Sequence, residues 1–453
     1  MTDSFGDRIA NICLEQYKKL PKNGKPQVQG SKVEWTVLAG IVEMRVDDNG
    51  NEILRCISLG TGVKCQSFRK LVRSGDLVHD CHAEVLSRRG FNCYLINEAR
   101  KAITDASEVL QLDNKASKFL FRIKSGVSYH LYISQSPCGD ASMTPLALAQ
   151  TEEAAAEFLA QKKRTLPDWD YLEKQTYSNK RLRVQQQTNP KQTKDGLEGC
   201  AESKLYRGRY GYEALGVLRT KPGRVDSEPT LSMSCSDKIA RWNVLGLCSA
   251  IVNLVIEPVY LTTIVVGEMF DEPSLTRALS GRIKGIQDLP IEFKVNCPRI
   301  LSTNAHFESS KDSIEGKHPD LTLTTSNTAL CWVTGWPSPQ VLINGRKQGA
   351  KPNREGIYPA KTRPILSKIS LANALLDLLV LMPSGRLDFR IREWMEESKT
   401  KTYEELKRLA RDYQIAKDCL LTQRFAAWVQ TPDEFNQWTL DSVKCESTSK
   451  AFC

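Results

Sequence analysis

The sequence lacks any apolar run approaching the roughly 20 residues that a membrane-spanning helix needs. The first 20 residues, MTDSFGDRIANICLEQYKKL, include acidic side chains and have the pattern of an amphipathic helix, which a secretion signal does not. Internal repeats and a Gly- or Pro-rich linker that would divide the chain are absent too. These absences favour a soluble intracellular protein, in the nucleus or the cytoplasm, because no clear targeting run decides between the two.

The chain is rich in cysteine, with 14 residues at irregular spacings. Without a secretion signal we expect these thiols to be reduced, so they do not form a disulfide framework. Most should pack as small hydrophobic side chains. Metal binding or catalysis is left as the role of the others.

A mixed α/β fold is predicted from the pattern of apolar residues. The apolar content of 41% supports a large core, and the length of 453 residues would suit several domains. We expect instead one large domain with insertions. The predicted helices are about 4–20, 81–103, 144–163, 232–255, 366–382 and about 400–429, and the predicted strands include 33–46, 128–136 and 259–267.

The net charge of +10 is unevenly distributed, because residues 161–224 hold an excess of basic side chains interleaved with tyrosines. Basic and aromatic side chains together suit contact with phosphates and stacking on bases. This basic insertion therefore predicts nucleic-acid binding. The alternative is a solvated, partly disordered insertion, which the run at 185–196 resembles. The basic residues and tyrosines of the insertion 161–224 include Lys162, Lys163, Arg164, Lys180, Arg181, Arg183, Arg207, Arg209, Arg219, Lys221, Arg224, Tyr171, Tyr177, Tyr206, Tyr210 and Tyr212.

The strongest chemical motif is His82-Ala83-Glu84, which has the H-x-E pattern of zinc deaminases. A catalytic zinc takes three protein ligands and keeps one position for water, whose pKa it lowers. A glutamate two residues after a ligand can reach that water and carry its proton to the substrate. Alone, H-x-E is a weak signal, since any histidine near a glutamate on a helix matches it.

A second half of the motif follows a predicted strand at Pro137-Cys138. The usual P-C-x-x-C pattern is broken there, because position 141 is alanine. Another cysteine must supply the third ligand. Spacing does not choose it, but Cys235 stands at a predicted helix start, where thiolates are favoured.

Three segments together resemble the ADAR-type adenosine deaminase domain: CHAEVLSRRG at 81–90, SPCGDAS at 136–142 and SMSCSDKIARWNVLG at 232–246. The resemblance covers nearly the whole chain. It implies a single 1–453 domain with a cytidine-deaminase-like three-layer fold, a mixed sheet between helices, enlarged by insertions and a C-terminal helical region. It also implies that His82, Cys138 and Cys235 bind one zinc ion and that Glu84 is the catalytic proton shuttle. A purely structural zinc would give Glu84 no role.

Lys417 lies on the predicted apolar face of the last helix, with Lys407 at its edge. Such a lysine could snorkel or pair with a carboxylate. The resemblance instead implies a buried inositol hexakisphosphate, with His79 and Ala250 departing from the family's usual Asn and Ser. We expect it to act as a folding cofactor. The residues matching its ligands are Arg88, Arg89, Lys238, Arg241, Lys368, Tyr403, Lys407, Tyr413, Lys417 and Trp428.

The substrate prediction also comes from the resemblance. Members that edit messenger RNA carry double-stranded RNA-binding domains before the deaminase, and we expect none here. The run 215–224 and Ser142 in PCGDAS resemble the tRNA-acting branch. That branch makes inosine immediately 3′ of the anticodon of alanine tRNA, by attack of zinc-activated water on C6 of an extruded adenine. Lys64 matches a lysine that contacts the RNA backbone.

Three other functions stay open from the sequence. A duplex or messenger RNA adenosine deaminase would act on long duplex RNA. A free-nucleoside deaminase would not need the basic insertion. A non-catalytic tRNA-binding protein would not depend on Glu84.

Overall fold

The computed structural model describes residues 4–47, 49–113, 118–148, 204–209, 211–223, 227–354 and 358–440. Its centre is a sheet of eight strands. In chain order the strands formed by the described residues are β1 (Val28–Gln29), β2 (Lys32–Trp35), β3 (Leu38–Val46), β4 (Glu52–Thr61), β5 (Val63–Cys65), β6 (Asp80–His82), β7 (Leu110–Leu112), β8 (Phe121–Ile123), β9 (Ser128–Gln135), β10 (Leu205–Arg207), β11 (Leu218–Thr220), β12 (Leu261–Glu268), β13 (Arg299–Ser302), β14 (Thr322–Thr325), β15 (Thr328–Val333), β16 (Gln340–Ile343) and β17 (Arg346–Lys347).

The helices complete the element list. They are α1 (Phe5–Lys19), α2 (Ala83–Ile103), α3 (Asp140–Leu148), α4 (Cys235–Leu245), α5 (Glu272–Leu279), α6 (Lys311–Lys317), α7 (Lys368–Val380), α8 (Phe389–Glu397), α9 (Tyr403–Arg408) and α10 (Arg411–Gln423). No helix among the described residues is both long enough and apolar enough to span a membrane.

The sheet is mixed, with the order β13-β12-β9-β3-β4-β15-β16-β17. The pairs β13–β12 and β12–β9 are parallel, and the remaining pairs are antiparallel. Helix α1 packs on one face and α2 on the other. The predicted mixed α/β fold with a sheet between helices is therefore confirmed.

Alternating side chains of the central strands feed two separate cores, as the two-residue period of a strand requires. In β9, Leu131 and Ile133 join the larger core, which holds α2, while Tyr132 points into the core under α1. Helix α2 comes very close to the sheet: a Cβ atom on Gly60 would lie 2.6 Å from the carbonyl oxygen of Ala83. This close packing fixes the start of α2 against the strands.

Several predicted boundaries are wrong for local reasons. Helix α2 begins at Ala83 because residues 80–82 form β6. Helix α4 ends at Leu245, not 255, because Gly246 adopts a positive φ of 73°. The predicted helix at 400–429 is two helices, since Ala410 leaves helical geometry with a ψ of 66°. Of the predicted helix 144–163, only the part up to residue 148 lies within the described residues, as the end of α3.

Candidate active site and basic cavity

The predicted zinc ligands come from three distant parts of the chain and lie at helix starts. His82 is the N-cap residue of α2, and Glu84 lies in the first turn of that helix. Cys138 precedes α3 by two positions, and Cys235 is the first residue of α4. The partial positive charge at helix N-termini stabilises thiolates, so this placement suits a metal-binding cysteine.

The chain around Cys138 is held tightly against the start of α4. Gly139 has a φ of 105°, and a Cβ atom there would lie 2.2 Å from Oγ of Ser234, so a side chain has no room. Oγ of Ser236 donates to the carbonyl oxygen of Cys138 at 2.9 Å. The backbone N–H of Cys235 donates to Sγ of Cys138 at 3.4 Å. These contacts bring the two cysteines together although they are 97 residues apart.

All four residues predicted for the reaction meet at one point. The thiol of Cys235 donates to Oε2 of Glu84 at 3.3 Å. The ring of His82 hydrogen-bonds to the sulfur of Cys138. Glu84 is 3% exposed and Cys235 is fully buried. The group therefore combines one imidazole, two sulfurs and a buried carboxylate.

Asp80 organises one side of this group. Its Oδ1 lies 3.0 Å from Nδ1 of His82, which leaves Nε2 as the ring nitrogen available to a ligand. Its Oδ2 accepts hydrogen bonds from Lys221 at 2.7 Å, from Ser232 at 2.6 Å and from Lys238. Sequence reasoning missed Asp80, although it precedes His82 by two positions in a strand, where side chains share a face.

Burial and mutual contact shift the titration of these groups. Burial raises the pKa of Glu84, and the Cys138 sulfur adds to the effect. Hydrogen bonding from Cys235 holds the pKa of Cys138 well below its usual value, while burial raises the pKa of Cys235. Burial opposes protonation of His82, but Asp80 outweighs it and raises the pKa of the imidazole to about 9. The shifts thus favour the thiolate form of Cys138 and the protonated forms of its neighbours Cys235, Glu84 and His82.

The donor set fits a catalytic zinc ion chemically. Zinc binds thiolates and imidazoles, with three protein ligands at catalytic sites. Among the described residues, no three His, Cys, Asp or Glu side chains stand in a formed metal geometry. The Cys235 thiol instead contacts Glu84 and accepts a hydrogen bond from Lys221 at 3.1 Å. Metal binding to groups of this kind requires the release of their protons.

A basic cavity lies on the other side of Asp80. Its volume is about 370 Å³, and Asp80 and Lys238 belong to its wall. Every residue that the sequence matched to polyphosphate ligands lines this one cavity, and so do His79, Ser249 and Ala250. The ten are Arg88, Arg89, Lys238, Arg241, Lys368, Tyr403, Lys407, Tyr413, Lys417 and Trp428.

Some polar atoms of the cavity wall have no partner. Arg88 donates to the carbonyl oxygen of Cys248 at 2.7 Å, and Arg89 to that of Leu366 at 2.6 Å. Within the described part of the chain, Nε of Arg88, Nη2 of Arg89 and Oγ of Ser249 are buried without a hydrogen-bond partner. Buried donors of this kind are rare in folded proteins and point to a missing acceptor.

The cations of the cavity also repel one another. Burial, with nearby Lys407 and Arg89, lowers the pKa of Lys368 to about 7. Burial, with Arg241 and Lys407, lowers the pKa of Lys417 to about 8. Seven basic side chains line the cavity against three acidic ones, Asp80, Glu404 and Asp433. This charge imbalance is the chemistry that a multiply charged anion would relieve.

The structure describes only part of the predicted basic insertion. Most of residues 161–224 lie outside the described residues, including Tyr171 and Tyr177. Lys204 and Arg209 are exposed, but Arg207, Arg219 and Lys221 are 9%, 0% and 2% exposed. The charges of those three residues therefore face the interior of the protein and add nothing to an exposed basic surface. No sequence signal separated Lys221 from the exposed basic residues.

Lys64 lies next to the strand that carries His82. It is half-buried in β5, which pairs with β6 so that Lys64 faces Cys81 in the register. Its ammonium group donates to Oδ1 of Asn327. Burial lowers its pKa.

A family model described as "Adenosine-deaminase (editase) domain" matches residues 58–432. The chain belongs to this family. The tRNA-specific adenosine deaminase 1 of Macaca fascicularis is 28% identical over 95% of this chain and 99% of its own length. The Drosophila melanogaster protein of that name is 30% identical over 94% and 95%. A double-stranded RNA-specific adenosine deaminase of Mus musculus is 29% identical over 97% of this chain but 33% of its own length. The chain therefore has the enzyme class of an adenosine deaminase.

Proposed function

We propose that this chain hydrolyses adenosine to inosine in tRNA, immediately 3′ of the anticodon of alanine tRNA. The observation that carries the chemistry is the contact of Glu84 with Cys235 at 3.3 Å, in a group that also holds His82 and Cys138. The similarity to tRNA-specific relatives extends over 99% of the length of one of them, which supports tRNA as the substrate. The alanine tRNA position follows from the sequence resemblance alone.

The proposed reaction consumes water and releases ammonia. A zinc ion held by His82, Cys138 and Cys235 would activate the water that attacks C6 of the adenine. Glu84 would take the proton of that water at Oε2 and deliver it to the leaving amino nitrogen. The raised pKa of Glu84 suits a group that must both accept and donate a proton. Asp80 would hold His82 in the tautomer whose Nε2 binds the metal. The target base must leave its stack to reach a site this buried.

We also propose that the basic cavity holds inositol hexakisphosphate. Seven basic side chains and the unpartnered donors of Arg88 and Arg89 support this proposal. The ligand would balance charges that the fold leaves buried and facing one another. Its role would be structural, because the cavity lies behind the reacting group.

A duplex RNA deaminase is the second candidate, favoured by the relative of that class that matches 97% of this chain. Incubation with an alanine tRNA transcript, a long RNA duplex and free adenosine, followed by mapping of inosine, separates the candidates. We expect inosine in the tRNA, at the position next to the anticodon. Inosine only in the duplex would establish the second candidate, and conversion of free adenosine would indicate a nucleoside deaminase.

Glu84→Gln tests whether the described site performs the reaction. We expect activity on tRNA to fall about 10²- to 10⁴-fold, the usual contribution of a positioned acid–base group. Glu98→Gln is a matched control, because Glu98 lies on the same helix and is also 3% exposed. Equal loss in both variants, or full activity of Glu84→Gln, would contradict a catalytic role for Glu84.

A further inference from the structure

Three buried aspartates stand beside the three predicted zinc ligands. Asp80 precedes His82 by two positions, Asp140 follows Cys138 by two, and Asp237 follows Cys235 by two. They are 6%, 0% and 0% exposed. Buried carboxylates need partners, since an unpaired buried charge is costly.

All three bind the same short segment, residues 216–221. Oδ1 of Asp140 accepts from the backbone N–H of Gly216 at 2.7 Å. Oδ2 of Asp237 accepts from the backbone N–H of Arg219 at 2.9 Å. The third link is the ion pair of Lys221 with Asp80, described above. The segment 216–221 is therefore bonded to the chain next to each of the three predicted zinc ligands.

Asp140 makes the outermost of these three links. Its Oδ2 accepts a hydrogen bond from Nε of Arg277 at 3.2 Å, and Nη2 of the same arginine donates to the backbone oxygen of Asp140 at 3.2 Å. Both carboxylate oxygens are therefore used. One joins helix α5 to the start of α3, and the other holds the backbone of the 216–221 segment.

The link at Gly216 ends an exposed turn formed by residues 211–217. Leu215 is 43% exposed, and Glu213 is also exposed. From inside, the guanidinium group of Arg219 donates to the carbonyl oxygens of Gly211 and Ala214, each at 2.7 Å. The turn thus presents its outer side chains to solvent while buried hydrogen bonds define its backbone.

We propose that Asp140 is a positioning residue that holds the turn 211–217 as part of the surface receiving the RNA beside Cys138. The proposal rests on the proposed function. A turn fixed in advance spares the complex the entropy of ordering it on binding. Asp140 should therefore control the affinity for folded RNA more than the chemical step, because it touches none of the reacting groups.

The test compares Asp140→Asn, Asp140→Ala and a matched control. Asparagine keeps an oxygen for Gly216 but loses the charge that pairs with Arg277, while alanine removes both links. The control is Asp113→Asn, whose aspartate is 9% exposed and pairs with Arg122 at 2.5 Å in the β7–β8 hairpin, beside α2. KM and kcat on tRNA, zinc content and hydrogen exchange of the amides at 211–221 are measured for each.

We expect Asp140→Ala to raise KM on the order of tenfold while kcat changes less than about threefold. Amides at 211–217 should exchange faster, with unchanged zinc content. Asp140→Asn should show a smaller change in the same direction, and Asp113→Asn none. A fall in kcat together with zinc loss would overturn the proposal in favour of a role in the metal site, and unchanged KM and exchange would overturn it outright.

Failure of the proposed function gives a different result. Wild-type protein loaded with zinc would then form no inosine in tRNA, whatever the variants do. Hydrogen exchange at 211–217 needs no substrate, so it tests the anchoring by Asp140 separately. If Asp140→Ala does not fold, the same measurements on Asp140→Asn decide the matter.

Discussion

The predicted zinc site and the basic cavity share a wall at Asp80 but balance their buried charges differently. Around the predicted zinc site, two buried cations pair with carboxylates: Lys221 with Asp80, and Arg282 with Asp237, both at 2.7 Å. In the cavity, seven basic side chains face three acidic ones. The second region has an excess of cations that the first lacks, so we predict that only the second requires an anion from outside.

Reversing a charge in the cavity should have the largest effect. Arg88→Glu or Lys407→Glu would oppose polyphosphate binding and leave the other cations facing one another, so we expect insoluble protein. Lys361→Glu, at an exposed basic position, is the control and should stay soluble. Solubility after expression and a thermal melt measure the outcome. Soluble Arg88→Glu protein with a normal melt and no bound polyphosphate would contradict the requirement for an external anion.

Removing the shared carboxylate should damage both regions. Asp80→Asn leaves Lys221 and Lys238 buried without a full charge partner, and the free energy of unfolding should fall by about 3–5 kcal/mol. Zinc content should fall too, because His82 loses the group that orients it. Denaturant unfolding and metal analysis measure this. Asp113→Asn serves as the comparison, and equal effects in the two variants would remove the special position of Asp80.

Retention of the polyphosphate by the basic cavity should depend on pH. Lys368 has a pKa of about 7 in the empty cavity, below that of an unfolded lysine, so the bound anion must keep it protonated. Rising pH favours the unprotonated, empty form, and affinity should fall up to about tenfold per pH unit above 7 for such a group. The phosphorus that the protein retains after dialysis at pH 7 and at pH 9 measures this fall in affinity. Lys368→Arg should flatten the dependence, because arginine stays protonated. An equally steep loss of polyphosphate in Lys368→Arg would show that groups other than Lys368 cause the pH dependence.

Zinc removal should have the smallest effect on the fold. A chelator should abolish deamination yet leave the protein soluble with its phosphorus, since Lys221 and Arg282 beside the site already pair with carboxylates. The melting temperature should drop by no more than a few degrees, the effect of losing one bound ligand. Precipitation on chelation would show that the zinc site is not self-sufficient.

Local sequence patterns, with the family resemblance, were enough to name the candidate site residues. The H-x-E motif and the cysteine at a helix start pointed to His82, Glu84 and Cys235, and the structure brings them together with Cys138. The fold class followed from the alternation and period of apolar residues. These features depend on residues a few positions apart.

The supporting network could not be predicted, because it depends on contacts between distant segments. Arg219 and Lys221 lie among exposed basic residues in the sequence, yet both side chains are buried. The guanidinium group of Arg219 donates to backbone carbonyl oxygens, and the ammonium group of Lys221 donates to Asp80. The break at Ala410 was missed as well, since its neighbours are good helix formers. Lys417 lines the cavity all the same, although the single continuous helix from which its position was predicted is in fact two helices.

Analysis of zinc and phosphorus in the purified soluble protein tests the central contrast most directly. The account predicts one zinc ion and the phosphorus of one hexakisphosphate per chain, with phosphorus, unlike zinc, resisting a chelator. Soluble, stable protein that contains no phosphorus would contradict it, because the cations of the cavity would then be balanced by the fold alone.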